Sequence, residues 1–147
     1  MKLNKDLREF IALLNCTRVK YLIVGGHAVA FHGRPRFTAD FDFFVERTPD
    51  NASRLAQVVG AFGFSALGLK SEDFLQPDVV VQLGRPPNRI DLLTSIDGVE
   101  FSNAWRRKVE GSIDGIPVPF ISKEDLLANK RATGRPQDLA DAAELES

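Results

Sequence analysis

Tyr21-Leu-Ile-Val-Gly-Gly-His-Ala-Val-Ala-Phe-His-Gly-Arg-Pro-Arg-Phe-Thr-Ala-Asp-Phe-Asp-Phe-Phe-Val45 is the stretch on which the reading of this chain turns. Val19 to Val24 is a short apolar run ended by Gly25-Gly26, the pattern of a buried strand stopping at a turn. His27 to His32 is apolar and alanine-rich, which suits a short helix packed on a sheet. Gly33-Arg34-Pro35-Arg36 reads as a loop, and Phe41 to Val45 as a second strand.

Upstream, apolar residues at Leu3, Leu7, Phe10, Ile11 and Leu14 recur at helical spacing, predicting an amphipathic helix from Leu3 to Asn15. Downstream, Pro49 to Phe62 reads as a helix, with Thr48 as its cap and Pro49 at its first position. Residues 64–78 lack a clear period and predict a loop with a short strand or turn. Val79 to Leu83 and Arg89 to Ile96 read as a hairpin around Gly84-Arg85-Pro86-Pro87-Asn88. Phe101 to Arg107 predicts a short helix, and Asp114-Gly115 a hairpin between Val109–Ser112 and Ile116–Ile121. Ser122-Lys-Glu-Asp125 resembles a capping box and opens a helix to about Thr133; Gly134-Arg135-Pro136 breaks it before a last helix from Gln137 to Leu145. The fold class is mixed α/β or α+β, with four to six mostly antiparallel strands flanked by helices.

The 147 residues predict a single domain over positions 1–147. Hydrophobic residues at 44% and charged residues at 27% exclude a disordered chain, a collagen-like fibre and a membrane protein. Nineteen basic against twenty acidic residues leave a net charge of -1, so overall charge marks neither nucleic acid nor an anionic membrane as a partner. The lone Cys16 excludes an internal disulfide and a cysteine-based zinc site. The opening Met1-Lys-Leu-Asn-Lys-Asp-Leu-Arg8 has no apolar signal core, and a cytoplasmic location is expected.

Chemistry is expected where polar residues interrupt apolar strands. Asp40 and Asp42 flank Phe41, and residues two apart in a strand face the same way. Like charges so placed cost free energy unless a cation or donor compensates them. Asp91 interrupts Arg89-Ile-Asp-Leu-Leu93 in the same manner, and would join the pair if its strand lies beside the second one. Three carboxylates with open positions suit Mg²⁺, and two ions held ~3.5–4 Å apart can promote an in-line displacement. The plainer alternatives are a strand-end or capping role for Asp40 and Asp42, and an ion pair from Asp91 to Arg89 or Arg85. Gly25-Gly26, between strand and helix, can admit an anion to backbone N–H groups. Arg34, Arg36, Lys130 and Arg135 are the candidate partners for phosphate charge, each with the alternative of a solvated surface residue. His27 beside the glycines either contacts phosphate or packs. With only His27 and His32, a transition-metal site is not expected.

Together the Tyr21–Val45 stretch, Arg89-Ile-Asp-Leu-Leu93 and Ile121–Asp141 resemble the polymerase-β-like nucleotidyltransferase superfamily. The likeness is to its small bacterial branch of AbiEii-type toxins and minimal nucleotidyltransferase antitoxins. The resemblance implies a mixed sheet with flanking helices. It implies transfer of a nucleoside monophosphate from an NTP to a hydroxyl, with release of pyrophosphate. Asp40 and Asp42 would hold two Mg²⁺ ions (or Mn²⁺), and Asp91 would bind the catalytic ion and help activate the acceptor. Gly25 and Gly26 would cradle the β- and γ-phosphates. Lys130, with Arg135 and Asp138, would close the site from helices at about 122–145. Many members carry Gly-Ser at the turn; here Gly26 stands in the serine's place and His27 follows.

The acceptor implied is a protein, an RNA or a small molecule, and the partners implied are the NTP, a cognate toxin or antitoxin, or a second copy in a homodimer. Two other readings use the same residues. One is a non-catalytic module of this fold that binds a partner protein. The other is a metal-dependent nuclease, which would need no pyrophosphate-binding turn.

Overall fold

The computed structural model describes residues 3–35, 37–64, 68–84 and 89–147. Its centre is a six-stranded mixed sheet in the order β3-β4-β2-β1-β6-β5. The strands are β1 (Tyr21–Val24), β2 (Phe41–Val45), β3 (Val80–Leu83), β4 (Ile90–Leu93), β5 (Val109–Ile113) and β6 (Ile116–Phe120). The helices are α1 (Lys5–Cys16), α2 (Gly25–His32), α3 (Pro49–Val59), α4 (Phe101–Arg106), α5 (Lys123–Thr133) and α6 (Pro136–Glu146). Both expected hairpins form, β3 on β4 and β5 on β6. β1 and β2 are also antiparallel, whereas β2–β4 and β1–β6 run parallel. None of the described helices is long and apolar enough to cross a membrane.

Alternation along the strands divides the sheet into an apolar face and a functional one. Ile23, Phe43 and Leu92 point one way and are fully buried. Phe43 meets Phe10 of α1 edge-on at 5.9 Å and Tyr21 at 5.5 Å. On the opposite face Phe44 packs on Phe101 of α4, and Asp42 and Asp91 interrupt the apolar surface. Burying a large apolar side chain contributes about 1.5–3 kcal/mol, so α1 and the aromatic layer fix which face is left for the carboxylates.

Local signals set most element ends. Asn4, Thr48 and Ser122 each cap a helix by accepting a backbone N–H, from Leu7, Asn51 and Asp125 respectively. Buried Asn51 also clamps β1 to β2. Its amide donates to Lys20 O and Glu46 O at 3.1 and 2.9 Å, and it accepts from Lys20 N at 2.7 Å. The start of α5 is held by Arg107, whose guanidinium donates twice to Asp125, at 2.7 and 3.0 Å.

Several elements differ from the sequence reading. α2 begins at Gly25 rather than His27, because the left-handed Gly25 (φ 70°) turns the chain directly from strand into helix. β4 ends at Leu93 rather than Ile96: the Thr94 side-chain hydroxyl accepts the Val79 N–H and the regular ladder stops there. Among the described residues of 68–78 the regular element is one 3₁₀ turn, Ser71–Phe74, anchored by a fully buried Phe74. Arg85, Pro86, Pro87 and Asn88 of the predicted turn, and Arg36, lie outside the described residues.

Candidate active site

The sheet brings the three aspartates to one place. β2 and β4 run side by side in parallel with Asp42 directly opposite Asp91. Asp40 immediately precedes β2. Asp42 is pushed up to about 7, first by burial and then by the charge of Asp91, with which it also shares a hydrogen bond. One cation already serves this cluster. Arg89 donates to Asp91 at 2.9 and 3.3 Å and pairs with Asp40 at 3.1 Å. Both sequence readings of Asp91 therefore hold together: it joins the aspartate pair and it is bridged to Arg89. Among the described residues no group of three or more His, Cys, Asp or Glu side chains is arranged to hold a metal ion.

The glycine turn lies against the carboxylates. A Cβ on Gly25 would fall 2.1 Å from Asp42 Oδ2. A Cβ on Gly26 would fall 2.7 Å from Thr38 Oγ1, so a threonine hydroxyl occupies the space that a side chain at position 26 would enter. Gly25→Ala is expected to lose about 1–2 kcal/mol from the left-handed backbone alone, with the clash on Asp42 in addition. A denaturant midpoint equal to wild type would show that the turn does not press on the carboxylate.

A cavity of about 560 Å³ opens beside this turn. Its walls include Gly25, Gly26 and Asp42 from the sheet side and Lys130, Thr133, Arg135 and Asp138 from α5 and α6. Ser95, Asp97 and Asn129 line it too. Lys130 is buried and donates to Asp138 at 2.9 Å, with Asp141 at 3.4 Å. Asp138 also accepts from Thr133 at 2.6 Å and Arg135 at 2.9 Å. Burial works to raise Asp138, but the Thr133 and Lys130 hydrogen bonds and nearby positive charge outweigh it, holding it below the usual carboxylate range.

Other expected residues stand elsewhere. His27 does not line the cavity. It is buried and stacked on Phe41 at 3.6 Å, and burial lowers it to about 4 despite a hydrogen bond to the Thr38 backbone. Its packing alternative is the one realised. Arg34 is outside the cavity as well, its exposed side chain 3.6 Å from Glu144. Ser95, Asp97, Asn129 and Gln137 were not legible as cavity residues. Each is an ordinary polar residue with no local signal of its own, and they come together only where α5 and α6 face the sheet.

The family described as "Nucleotidyl transferase of unknown function (DUF2204)" matches residues 3–146. The chain belongs to this nucleotidyltransferase family. No curated protein matches the sequence of this nucleotidyltransferase. Among solved structures, lincomycin-bound lincosamide antibiotic adenylyltransferase LnuA gives a TM-score of 0.56 at 16% identity, covering 99% of this chain and 97% of that one. A candidate nucleotidyltransferase from Thermotoga maritima gives 0.56 at 15% identity, covering 95% of this chain and 88% of that one. At these identities the likeness is one of fold, and it agrees with the expected mixed sheet and flanking helices.

Proposed function

We propose that this nucleotidyltransferase is Mg²⁺-dependent and works at the Asp40–Asp42–Asp91 cluster, moving a nucleoside monophosphate from an NTP to an acceptor hydroxyl. The observation that carries this reading is the register of β2 on β4. It sets Asp91 beside Asp42, and Asp42 lines a cavity whose wall includes a glycine turn. Two carboxylates side by side, with Asp42 raised first by burial and then by the charge of Asp91, supply the hard oxygen donors that a divalent cation takes.

Asp42 and Asp91 would hold the cation, with Asp40 completing the set. A bound Mg²⁺ would stabilise charge developing on the phosphoryl oxygens. Gly25 and Gly26, in the cavity wall at the start of α2, would present backbone N–H groups to the polyphosphate. Asp91 accepts the proton of the acceptor hydroxyl. The acceptor oxygen bonds to the α-phosphorus as the bond from that phosphorus to the bridging oxygen breaks, and pyrophosphate leaves. Lys130 and Arg135 place positive charge on the opposite wall, already shared with Asp138. Their role in this reading is to hold α6 closed over the nucleotide rather than to act as free phosphate ligands.

The acceptor is a protein, an RNA or a small molecule. A toxin–antitoxin role is supported by the resemblance of the Tyr21–Val45 stretch and the closing helices to the AbiEii-type branch.

Thermal unfolding with each of the four NTPs, with and without Mg²⁺, tests the proposal. A nucleotide at about 100 times its Kd stabilises the native state by ~2.7 kcal/mol. For a chain of this size that is a Tm rise of about 5–10 °C. The rise should require Mg²⁺ and vanish in Asp42→Asn. If no nucleotide moves Tm, the partner-binding alternative takes its place.

A further inference from the structure

We propose that Arg89 is the resident counter-ion of the carboxylate cluster and that a divalent ion must displace it to occupy the site. This rests on the metal-dependent reading above and adds to it how the empty site is held and what the ion competes with.

The geometry is specific. Arg89 Nε and one terminal nitrogen donate to the two oxygens of Asp91 at 2.9 and 3.3 Å, so the guanidinium fork spans the edge of that carboxylate. The same terminal nitrogen reaches Asp40 Oδ2 at 3.1 Å. Those are oxygens that a cation at this cluster would need. Mg²⁺ requires near-octahedral oxygens at about 2.0–2.1 Å, and it cannot approach Asp91 along an edge already filled by a planar cation.

The placement of Arg89 is built into the sheet. It directly precedes β4 as Asp40 directly precedes β2, and Phe41 lies opposite Ile90 in the parallel pair. Phe41 N donates to Arg89 O at 3.0 Å, so the backbone pins the arginine beside the aspartates. Its side chain is 31% exposed, which leaves a way out to solvent without unfolding the strand.

Two consequences follow. The empty cluster escapes the repulsion of bare carboxylates, because one arginine compensates two of them. The ion, in turn, binds more weakly than the same oxygens would allow if they were free. The arginine that leaves Asp91 remains tethered at the start of β4, where it adds positive charge next to the incoming polyphosphate.

The test is titration of the nucleotide-free protein with Mg²⁺ alone, followed by calorimetry and by Tm, with Mn²⁺ as a second probe. Arg89→Met should lower the half-saturating concentration by about tenfold or more, and should lower the metal-free Tm. Arg89→Lys, which keeps the charge but not the fork, should fall between. It carries the comparison if the methionine variant does not fold without metal. Equal half-saturation in wild type and variants, with binding lost in Asp42→Asn, overturns the displacement and leaves the metal site standing. Absence of binding in all of them overturns both.

Discussion

Asp42→Asn is expected to abolish nucleotidyl transfer, by about a thousandfold or more, while the metal-free fold becomes more stable above neutral pH. The loss of rate follows from removing an oxygen donor in the proposed cation site: such ions supply several kcal/mol of charge stabilisation, and each 1.36 kcal/mol is tenfold in rate. The stability gain follows from linkage. In the folded protein Asp42 holds its proton up to about 7, against an ordinary value of 3.8. The native state therefore binds more protons than the unfolded one between those values, and stability falls as pH rises through that window. Above it the full cost of the ionised pair is present; below about 4 it is absent. Asparagine cannot ionise, so the variant escapes that cost.

His27 works in the other direction. Its folded value of about 4 lies below the ordinary 6.5, so its contribution is present above 6.5 and is lost as pH falls toward 4. Both proteins share that limb, and their difference isolates Asp42. Denaturant midpoints at pH 5 and pH 8 give the comparison. The advantage of Asp42→Asn should be larger at pH 8. A difference independent of pH would show that Asp42 is ionised in both conditions.

Lys130→Met is expected to be the more damaging change to the fold. Lys130 is buried between Asp138 and Asp141, the first also held by Thr133 and Arg135. Removing one partner of a buried ion pair costs about 3–5 kcal/mol, because the remaining charge stays in a poorly solvating place. Against a total stability of about 5–15 kcal/mol, that corresponds to a Tm loss on the order of 10 °C. Adding Asp138→Asn should recover part of it. A Tm within a degree or two of wild type would mean that α5 and α6 dock without this network. If the fold survives and nucleotide binding alone fails, Lys130 contacts the nucleotide directly.

Much of the architecture was legible because local chemistry agreed with global packing. β2 runs from Phe41 to Val45 as the apolar run predicts, and Thr48 and Ser122 cap their helices as their positions suggest. The Ser71–Phe74 turn was not legible: one buried phenylalanine carries no period. The aspartates announced themselves as charges in apolar strands. What the sequence left conditional was whether β4 would lie beside β2, because a parallel pairing between distant strands has no local signature. The same holds for Lys130 with Asp138 and Asp141, whose contact depends on the angle at which α6 folds back over α5. His27 misled by position. Adjacency to a phosphate-sized turn suggested contact, but the helix begins two residues earlier and directs the ring onto Phe41.

The parallel register of β2 and β4 also limits how such a chain can evolve. Ile90 and Leu92 point to the apolar face while Asp91 points to the face it shares with Asp42, and both sides of β4 are largely covered. One residue gained or lost within the ladder would exchange the faces, sending a carboxylate into the apolar layer and a leucine beside Asp42. Substitution is an open route at the exposed Val80 and Gln82 of β3, whereas insertion inside β4 is a closed one.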